Sequence, residues 1–344
     1  MRKSPVKIRA FSITFTPFLC YSEIMKIYKL TIAYDGSDYS GWQAQNHKPS
    51  IAAALNHAFK KVFKTEIKVL GASRTDAGVH ALGQVARIKT DLAIPAEKLK
   101  WAWNNALPAD ISIRSLELVD DSFNPFCNVA QKIYYYHFFV ERPLPFTQRY
   151  GYFYPYKIDF DVLKKALQFF VGTHDFASFR SSEDLRENTI RTVDAITLEY
   201  LPRYKAYRIT IKGQKFLRHM IRRIVGASLA VATRGSDALS LLQKTMDARN
   251  PAHTLPNAPA QGLMLYKIVY KNTSSHPSTR PSPKATEGRR AFTPELAEGS
   301  GRTGRAPDRS VNEGWVKTGL EQSRKELSVA FTSEFVELSG RTEK

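Results

Sequence analysis

The order in which two hydrophobic periods follow one another from Lys26 onward limits the folds open to this chain more than any other feature. Lys26 to Tyr34 alternates, with Tyr28, Leu30 and Ile32 on one side and Ile27, Lys29 and Thr31 on the other, the period of a half-buried strand. Asp35-Gly36 supplies a turn, and Ser50 can cap a helix over Ile51 to Phe63 whose Ile51, Leu55, Phe59 and Val62 share one face. Strand-like runs follow at Glu66 to Leu70 and Gln84 to Lys89, then a helix from Pro95 to about Ala106 and a strand at Ile111 to Val119. This β-α-β-β-α-β order is the split βαβ arrangement of ferredoxin-like and RNA-recognition modules.

The next stretch repeats the scheme with less clarity. Gln131 to Val140 reads as a strand dense in tyrosine, Phe160 to Phe170 as a helix, and Thr189 to Tyr200 and Tyr204 to Lys212 as strands. Helices over Phe216 to Thr233 and Ser236 to about Ala248 precede a last strand at Leu263 to Tyr270. The expected fold is therefore α+β: two ferredoxin-like or RNA-recognition-like α/β halves with antiparallel sheets, residues 25–125 and 126–271, joined near Asp120 to Ala130. Residues 1–24 read as an N-terminal extension whose apolar run faintly resembles a targeting peptide but lacks a small-residue cleavage site, so translation can start at Met1 or Met25. Residues 272–344 are rich in Ser, Thr, Pro, Gly and mixed charge, and are expected to be disordered.

Charge says what the body meets. The formal charge of the chain is +19, and residues 25–271, with 35 basic and 21 acidic side chains, hold +14 of it. An excess of this sign on a folded body points to a polyanion, and nucleic acid leads, because each cation that meets a phosphate releases counterions. No stretch approaches the roughly 18 apolar residues that a spanning helix needs. Cys20 and Cys127, the two cysteines, form neither a disulfide framework nor a zinc set, so the chain reads as cytoplasmic and free of structural metal.

Chemistry concentrates in Gly71 to Ala81 (GASRTDAGVHA), where small residues surround Arg74, Asp76 and His80 between two strand patterns. The glycines permit unusual dihedrals and leave room for a bulky ligand beside Asp76. A carboxylate held ionised by a guanidinium can act as nucleophile or electrostatic stabiliser at a sugar carbon; an ordinary surface ion pair between Arg74 and Asp76 is the alternative. A histidine after a turn, such as His80, is more often structural than catalytic. The chain has no Walker loop, GxSxG elbow, HExxH or CxxC cluster, which argues against ATP, serine-hydrolase, zinc-protease and redox chemistry.

Gly71 to His80 closely resembles the active-site loop of the tRNA pseudouridine synthases of the TruA family. Further segments agree in order: Tyr34-Asp35-Gly36 through Gly41-Trp42-Gln43, Trp103 to Ile113, Lys132-Ile133-Tyr134-Tyr135-Tyr136, Gly172 to Phe179, Phe216 to Gly226 and Ala258 to Leu263. The resemblance implies isomerisation of uridine to pseudouridine in the anticodon stem-loop of tRNA, at about positions 38 to 40, with no cofactor, no metal and no membrane. It implies Asp76 as the nucleophile, with attack on ribose or base left open, and a basic active-site cleft between the halves. Arg74 then matches an arginine that fills the gap left by the flipped base and pairs with the aspartate, Tyr134 the tyrosine that stacks on that base and assists proton transfer, and Arg222 an arginine that pairs with the nucleophile. A homodimer, with each tRNA contacting both subunits, is implied as well.

Simpler readings stay open: Tyr134 to Tyr136 as sheet aromatics, and Arg218, Arg222 and Arg223 as a solvated basic helix face on which Arg218 and Arg222 share a side. Lys60, Lys61, Lys64 and Lys68 read as exposed, binding phosphate at most. A tandem RNA-binding module without chemistry is the rival function. The chain also departs from the family pattern: Phe126 stands where a cation is expected, Tyr135 where arginine is common and Ser73 where glycine is common.

Overall fold

The computed structural model describes residues 25–45, 47–252 and 255–271; the expectations for 1–24 and 272–344 lie outside the described residues. Alternation becomes hydrogen-bonded ladder from the first strand. β1 (Lys26–Tyr34) pairs antiparallel with β3 (His80–Thr90) on one side and β4 (Ile111–Val119) on the other. Its alternate residues Tyr28, Leu30, Ile32 and Tyr34 enter the core. α1 (Ile51–Phe63) starts where Ser50 Oγ accepts the Ala53 N–H at 3.4 Å, and it ends where Lys64 turns left-handed and donates its N–H to the Lys60 carbonyl. α2 (Ala96–Ala106) follows Pro95 and sets Trp103 edge-on to Phe59, with centroids 4.8 Å apart; the indole N–H reaches the Leu55 carbonyl at 3.1 Å, so the buried ring leaves no donor unmet.

The later strands form a second antiparallel run. β5 (Val129–Phe139) pairs with β9 (Ala206–Gly213), β9 with β8 (Ile190–Leu201), and β8 with β7 (Gly172–Asp175). β10 (Leu263–Tyr270) joins the two runs, antiparallel to β5 and parallel to β3 through Met264 opposite His80 and Leu265 opposite Ala81. With β2 (Leu70–Gly71) against β3 and β6 (Tyr152–Phe153) against β5, the result is one ten-stranded sheet of order β4-β1-β3-β10-β5-β9-β8-β7. Helices α3 (Pro145–Gln148), α4 (Phe160–Gln168), α5 (Met220–Arg234) and α6 (Ser240–Ala248) complete a mixed α/β body around a large, mostly antiparallel sheet. No helix among the described residues is long and apolar enough to cross a membrane.

Three expected elements differ. The strand expected over Glu66 to Leu70 shrinks to Leu70–Gly71, because Glu66 turns back to pair with Lys60 of α1 at 2.5 Å and only the last residues meet β3. The helix expected from Phe216 starts at Met220: the Arg218 N–H is diverted to the Asp184 carboxylate at 3.0 Å, and His219 adopts φ +64°, which breaks the helical run. Ser236–Leu239 is a 3-10 turn, so α6 begins four residues later than expected. Lys60, Lys61, Lys64 and Lys68 are exposed, as alternation and charge suggest.

Candidate active site

The segment from Ala72 to Val79 leaves β2 and is fixed mainly through its backbone. The Gln84 side chain, fully buried on β3, accepts the Ser73 N–H at 3.2 Å and donates to the Ser73 carbonyl at 2.6 Å, so an amide side chain serves as the missing ladder partner. Thr75 Oγ1 lies 2.8 Å from the Tyr34 hydroxyl, and the Thr75 carbonyl accepts the Trp42 N–H at 3.1 Å. Gly41 makes that approach possible: at φ +96°, a Cβ there would lie 2.6 Å from the Thr75 carbonyl oxygen. The loop then closes in a turn, with Gly78 at φ +76° donating its N–H to Tyr39.

Where the loop re-enters the sheet, His80 is buried, its Nδ1 within 3.0 Å of Asp35 Oδ1 and 3.1 Å of the Gly36 N–H, and its Nε2 within 3.2 Å of the Gln261 carbonyl. These contacts make it an anchor of the loop. Asp35 further accepts from Ser37 and Tyr150 and pairs with Arg149 Nε at 2.7 Å. Burial alone would raise the Asp35 carboxyl, but the hydrogen bond and charge of His80, with the Ser37 bonds, hold it well below the usual carboxylate range.

Asp76 emerges at the crest of this scaffold with its side chain about one-fifth exposed. Arg222, in the first turn of α5, reaches its Oδ2 through Nη1 at 3.5 Å, and His219 Nε2 stands 3.6 Å from the same oxygen. Both partners crowd Oδ2. Oδ1 accepts no hydrogen bond among the described residues, so it has capacity left for a ligand. Arg222 is itself held by donating Nε to the Ala258 carbonyl at 2.8 Å while its own carbonyl accepts the Ala258 N–H at 3.0 Å. Gly226 allows that segment to lie against α5, since a Cβ there would sit 2.2 Å from the Pro256 carbonyl oxygen. Burial lowers the His219 imidazole, Asp76 opposes this, and Arg222, Arg218 and Arg223 lower it further, so His219 favours its neutral form.

Tyr134 comes to the loop from β5. Its hydroxyl is 2.9 Å from Ser73 Oγ and its ring meets Phe216 edge-on at 5.5 Å. Burial pushes the phenol up to about 12; the Ser73 hydrogen bond works the other way, and the charge of Asp76 adds to the rise. Tyr136 is on the same side and donates to the Pro259 carbonyl at 2.9 Å, whereas Tyr135 stacks on Tyr266 beneath the Arg208 guanidinium.

Asp76, Arg222 and Tyr134 therefore converge, although 58 to 146 positions of sequence separate them. Arg74 does not join them: it is exposed and makes no hydrogen bond or ion pair with Asp76 among the described residues, so the carboxylate's guanidinium partner is Arg222. Arg218 precedes α5 and pairs with Glu183 at 2.5 Å, so helical spacing does not set it beside Arg222. Phe126 is about half exposed. Sequence reasoning missed His219, whose left-handed backbone no local pattern announces, and Lys132, whose position two residues before Tyr134 on an alternating strand was a usable signal.

Comparisons with known proteins agree on one family. Residues 30–125 and 166–271 match the family described as tRNA pseudouridine synthase. The tRNA pseudouridine synthase A of Thermodesulfovibrio yellowstonii is 40% identical over 252 residues, which is 70% of this chain and 98% of that protein. Its counterpart in Thermoanaerobacter sp. is 37% identical over 249 residues, 72% of this chain and 100% of its own length. The tRNA pseudouridine synthase A 1 of Protochlamydia amoebophila is 37% identical over 253 residues, 72% of this chain and 98% of its own.

Proposed function

Because this chain belongs to the tRNA pseudouridine synthase family, an isomerase family that acts on tRNA, we propose that it converts uridines of the anticodon stem-loop to pseudouridine with Asp76 as the nucleophile. The observation that carries this reading is the meeting of Arg222 with Asp76 Oδ2 while Oδ1 accepts no hydrogen bond among the described residues. A guanidinium on one oxygen orients the carboxylate and aims the other. Attack at the ribose C1′ or at the base releases the C1′–N1 bond; the uracil then turns, C1′–C5 forms, the bond to Asp76 breaks, C5 loses its proton and N1 takes one up. Atoms balance within one nucleotide, so no oxidant or group donor is consumed.

A stacked uridine must leave its helix first, at a cost of roughly a few kcal/mol. Arg74, exposed two residues before Asp76, is free to enter the gap, and the Tyr134 ring is the aromatic surface beside the nucleophile. Residues 25–125 and 126–271 would then be the two walls of a basic cleft, to which Arg74, Lys215, Arg218 and Arg223 contribute charge. A homodimer working in the cytoplasm belongs to the same proposal.

The deciding experiment is incubation with unmodified tRNA followed by carbodiimide mapping of pseudouridine. Conversion confined to the anticodon arm is expected; no product beside an active control enzyme would overturn the reading. Arg222→Met should slow turnover at saturating tRNA by about a hundredfold or more with little change in tRNA affinity, because its partner is the nucleophile and not the phosphate backbone. A variant that loses affinity and keeps its turnover number would assign Arg222 to RNA binding instead.

A further inference from the structure

Alternation along β5 puts Lys132 and Tyr134 on one face, two residues apart, and the catalytic loop lays Ser73 across the interval. Ser73 Oγ is 2.9 Å from the Tyr134 hydroxyl and 3.1 Å from Lys132 Nζ, which also donates to the Ala72 carbonyl at 2.9 Å. The three groups form an unbroken chain from the edge of the nucleophile's site to the amine of a half-buried lysine. A hydroxyl has one proton and can accept in return, so a neutral Lys132 amine can still donate to Ala72 while it accepts from Ser73.

We propose that Lys132 is the terminal proton acceptor of the isomerisation, reached from the substrate through Tyr134 and Ser73. The proposal rests on the reading above, since it concerns the C5 proton left over once C1′–C5 has formed. That proton passes to the Tyr134 oxygen as the Tyr134 hydroxyl proton passes to Ser73 Oγ and the Ser73 proton to the lone pair of Lys132 Nζ. The C5–H electron pair restores the C5–C6 double bond of the product as the C6–N1 π pair returns to N1, which takes up a proton from solvent. Lys132 becomes an ammonium, Tyr134 and Ser73 end as they began, and the ammonium later gives the proton up to solvent.

The surroundings suit each role. Burial lowers the Lys132 ammonium, and the positive charge of Lys215 lowers it further, to about 8, so a useful fraction is neutral near neutral pH. Tyr134, held at about 12, does not ionise on its own account and needs a sink beyond it. Gly213 and Ile268, opposite Lys132 on β9 and β10, carry no charge. The charged side chains of the loop are Arg74 and Asp76, and Asp76 acts on Tyr134. Lys132 is thus a relay and positioning residue, which acts on substrate only through its neighbours.

The test is tritium release from tRNA labelled at uridine C5, followed in single turnovers with enzyme in excess between about pH 6 and pH 9.5, beside pseudouridine formation. For the unaltered protein, release should rise about tenfold per pH unit and level off near pH 8, where the amine becomes neutral. Ser73→Ala and Lys132→Met should each release tritium at least about tenfold more slowly at pH 8 and lose the inflection, with tRNA affinity unchanged within about twofold. Lys132→Arg should resemble Lys132→Met, because arginine keeps the charge but does not give up its proton. Wild-type rates in Lys132→Arg would show a purely electrostatic role and overturn the proposal. So would an intact rate and inflection in Ser73→Ala, which removes one oxygen and decides the matter should Lys132→Met fail to fold. Absence of both tritium release and pseudouridine from the unaltered protein is a separate result, which overturns the underlying function.

Discussion

Asp76→Asn is expected to reduce pseudouridine formation by at least about ten-thousandfold while tRNA binding and folding stay near normal. Asparagine keeps the shape of the side chain but loses the charge, and an amide is a poor nucleophile at carbon. The partners within reach, Arg222 at 3.5 Å and His219 at 3.6 Å, then face a neutral group. The fold should tolerate this. The loop is held by Gln84, Tyr34, Trp42 and Tyr39, which bond to Ser73, Thr75 and Gly78 and not to the Asp76 carboxylate. The pairs to Arg222 and His219 are long, at 3.5 and 3.6 Å, so their loss should change stability by about 1 kcal/mol or less. The readouts are pseudouridine in the anticodon arm, a gel-shift affinity and a melting curve. Turnover within about tenfold of normal would remove Asp76 from the role of nucleophile, and joint loss of binding and folding would make it structural.

Asp35→Ala carries the largest expected cost in stability, roughly 2–4 kcal/mol. Five groups converge on this carboxylate: the Ser37 N–H at 2.9 Å, the Ser37 hydroxyl at 2.7 Å, Tyr150 at 3.1 Å, Arg149 at 2.7 Å and His80 at 3.0 Å. Alanine leaves the buried His80 ring without its carboxylate, whereas Arg149, nearly half exposed, can turn to water, which keeps the cost below that of a fully buried pair. The sign with pH follows from the depressed carboxyl. Its contribution is complete above the unfolded value of about 4 and is lost as pH falls through the lower folded value, where the native state too must take up the proton. Urea midpoints at pH 7 and pH 3 should therefore differ more for the unaltered protein than for Asp35→Asn. Equal differences would show that the cluster adds nothing. Because His80 follows the loop directly, the Ala variant should also lose turnover at temperatures where it remains folded.

Much of the fold was legible because the two periods are local properties. β1, β4 and β10 occupy the residues that alternation marks, and α1 begins at the serine that its capping chemistry selects. What sequence could not supply is partner choice across long separations. Nothing local says that Leu265 lies beside Ala81, or that the hydroxyl of Tyr134 meets Ser73. Arg74 illustrates the limit at the site: two residues from Asp76 on an exposed turn, it is a plausible ion-pair partner by proximity, yet the partner comes from α5, 146 positions on. Lys132, Tyr134 and Tyr136 could be grouped by the period of two alone. His219 could not, since a non-glycine residue at φ +64° is held by its tertiary surroundings and not by its own preference.

The parallel contact between β10 and β3 has a consequence for how the molecule is made. Synthesis delivers β1, β3 and β4 early, and they can pair as soon as they emerge; β5, β8 and β9 can do the same later. The strand that registers one set against the other, Leu263–Tyr270, is the last of the described strands to be synthesised. Until then the segment that carries Asp76 and the strand that carries Tyr134 belong to ladders with no strand in common. A chain that ends before Leu263 is thus expected to show no activity on RNA, however well its two sets of strands fold separately.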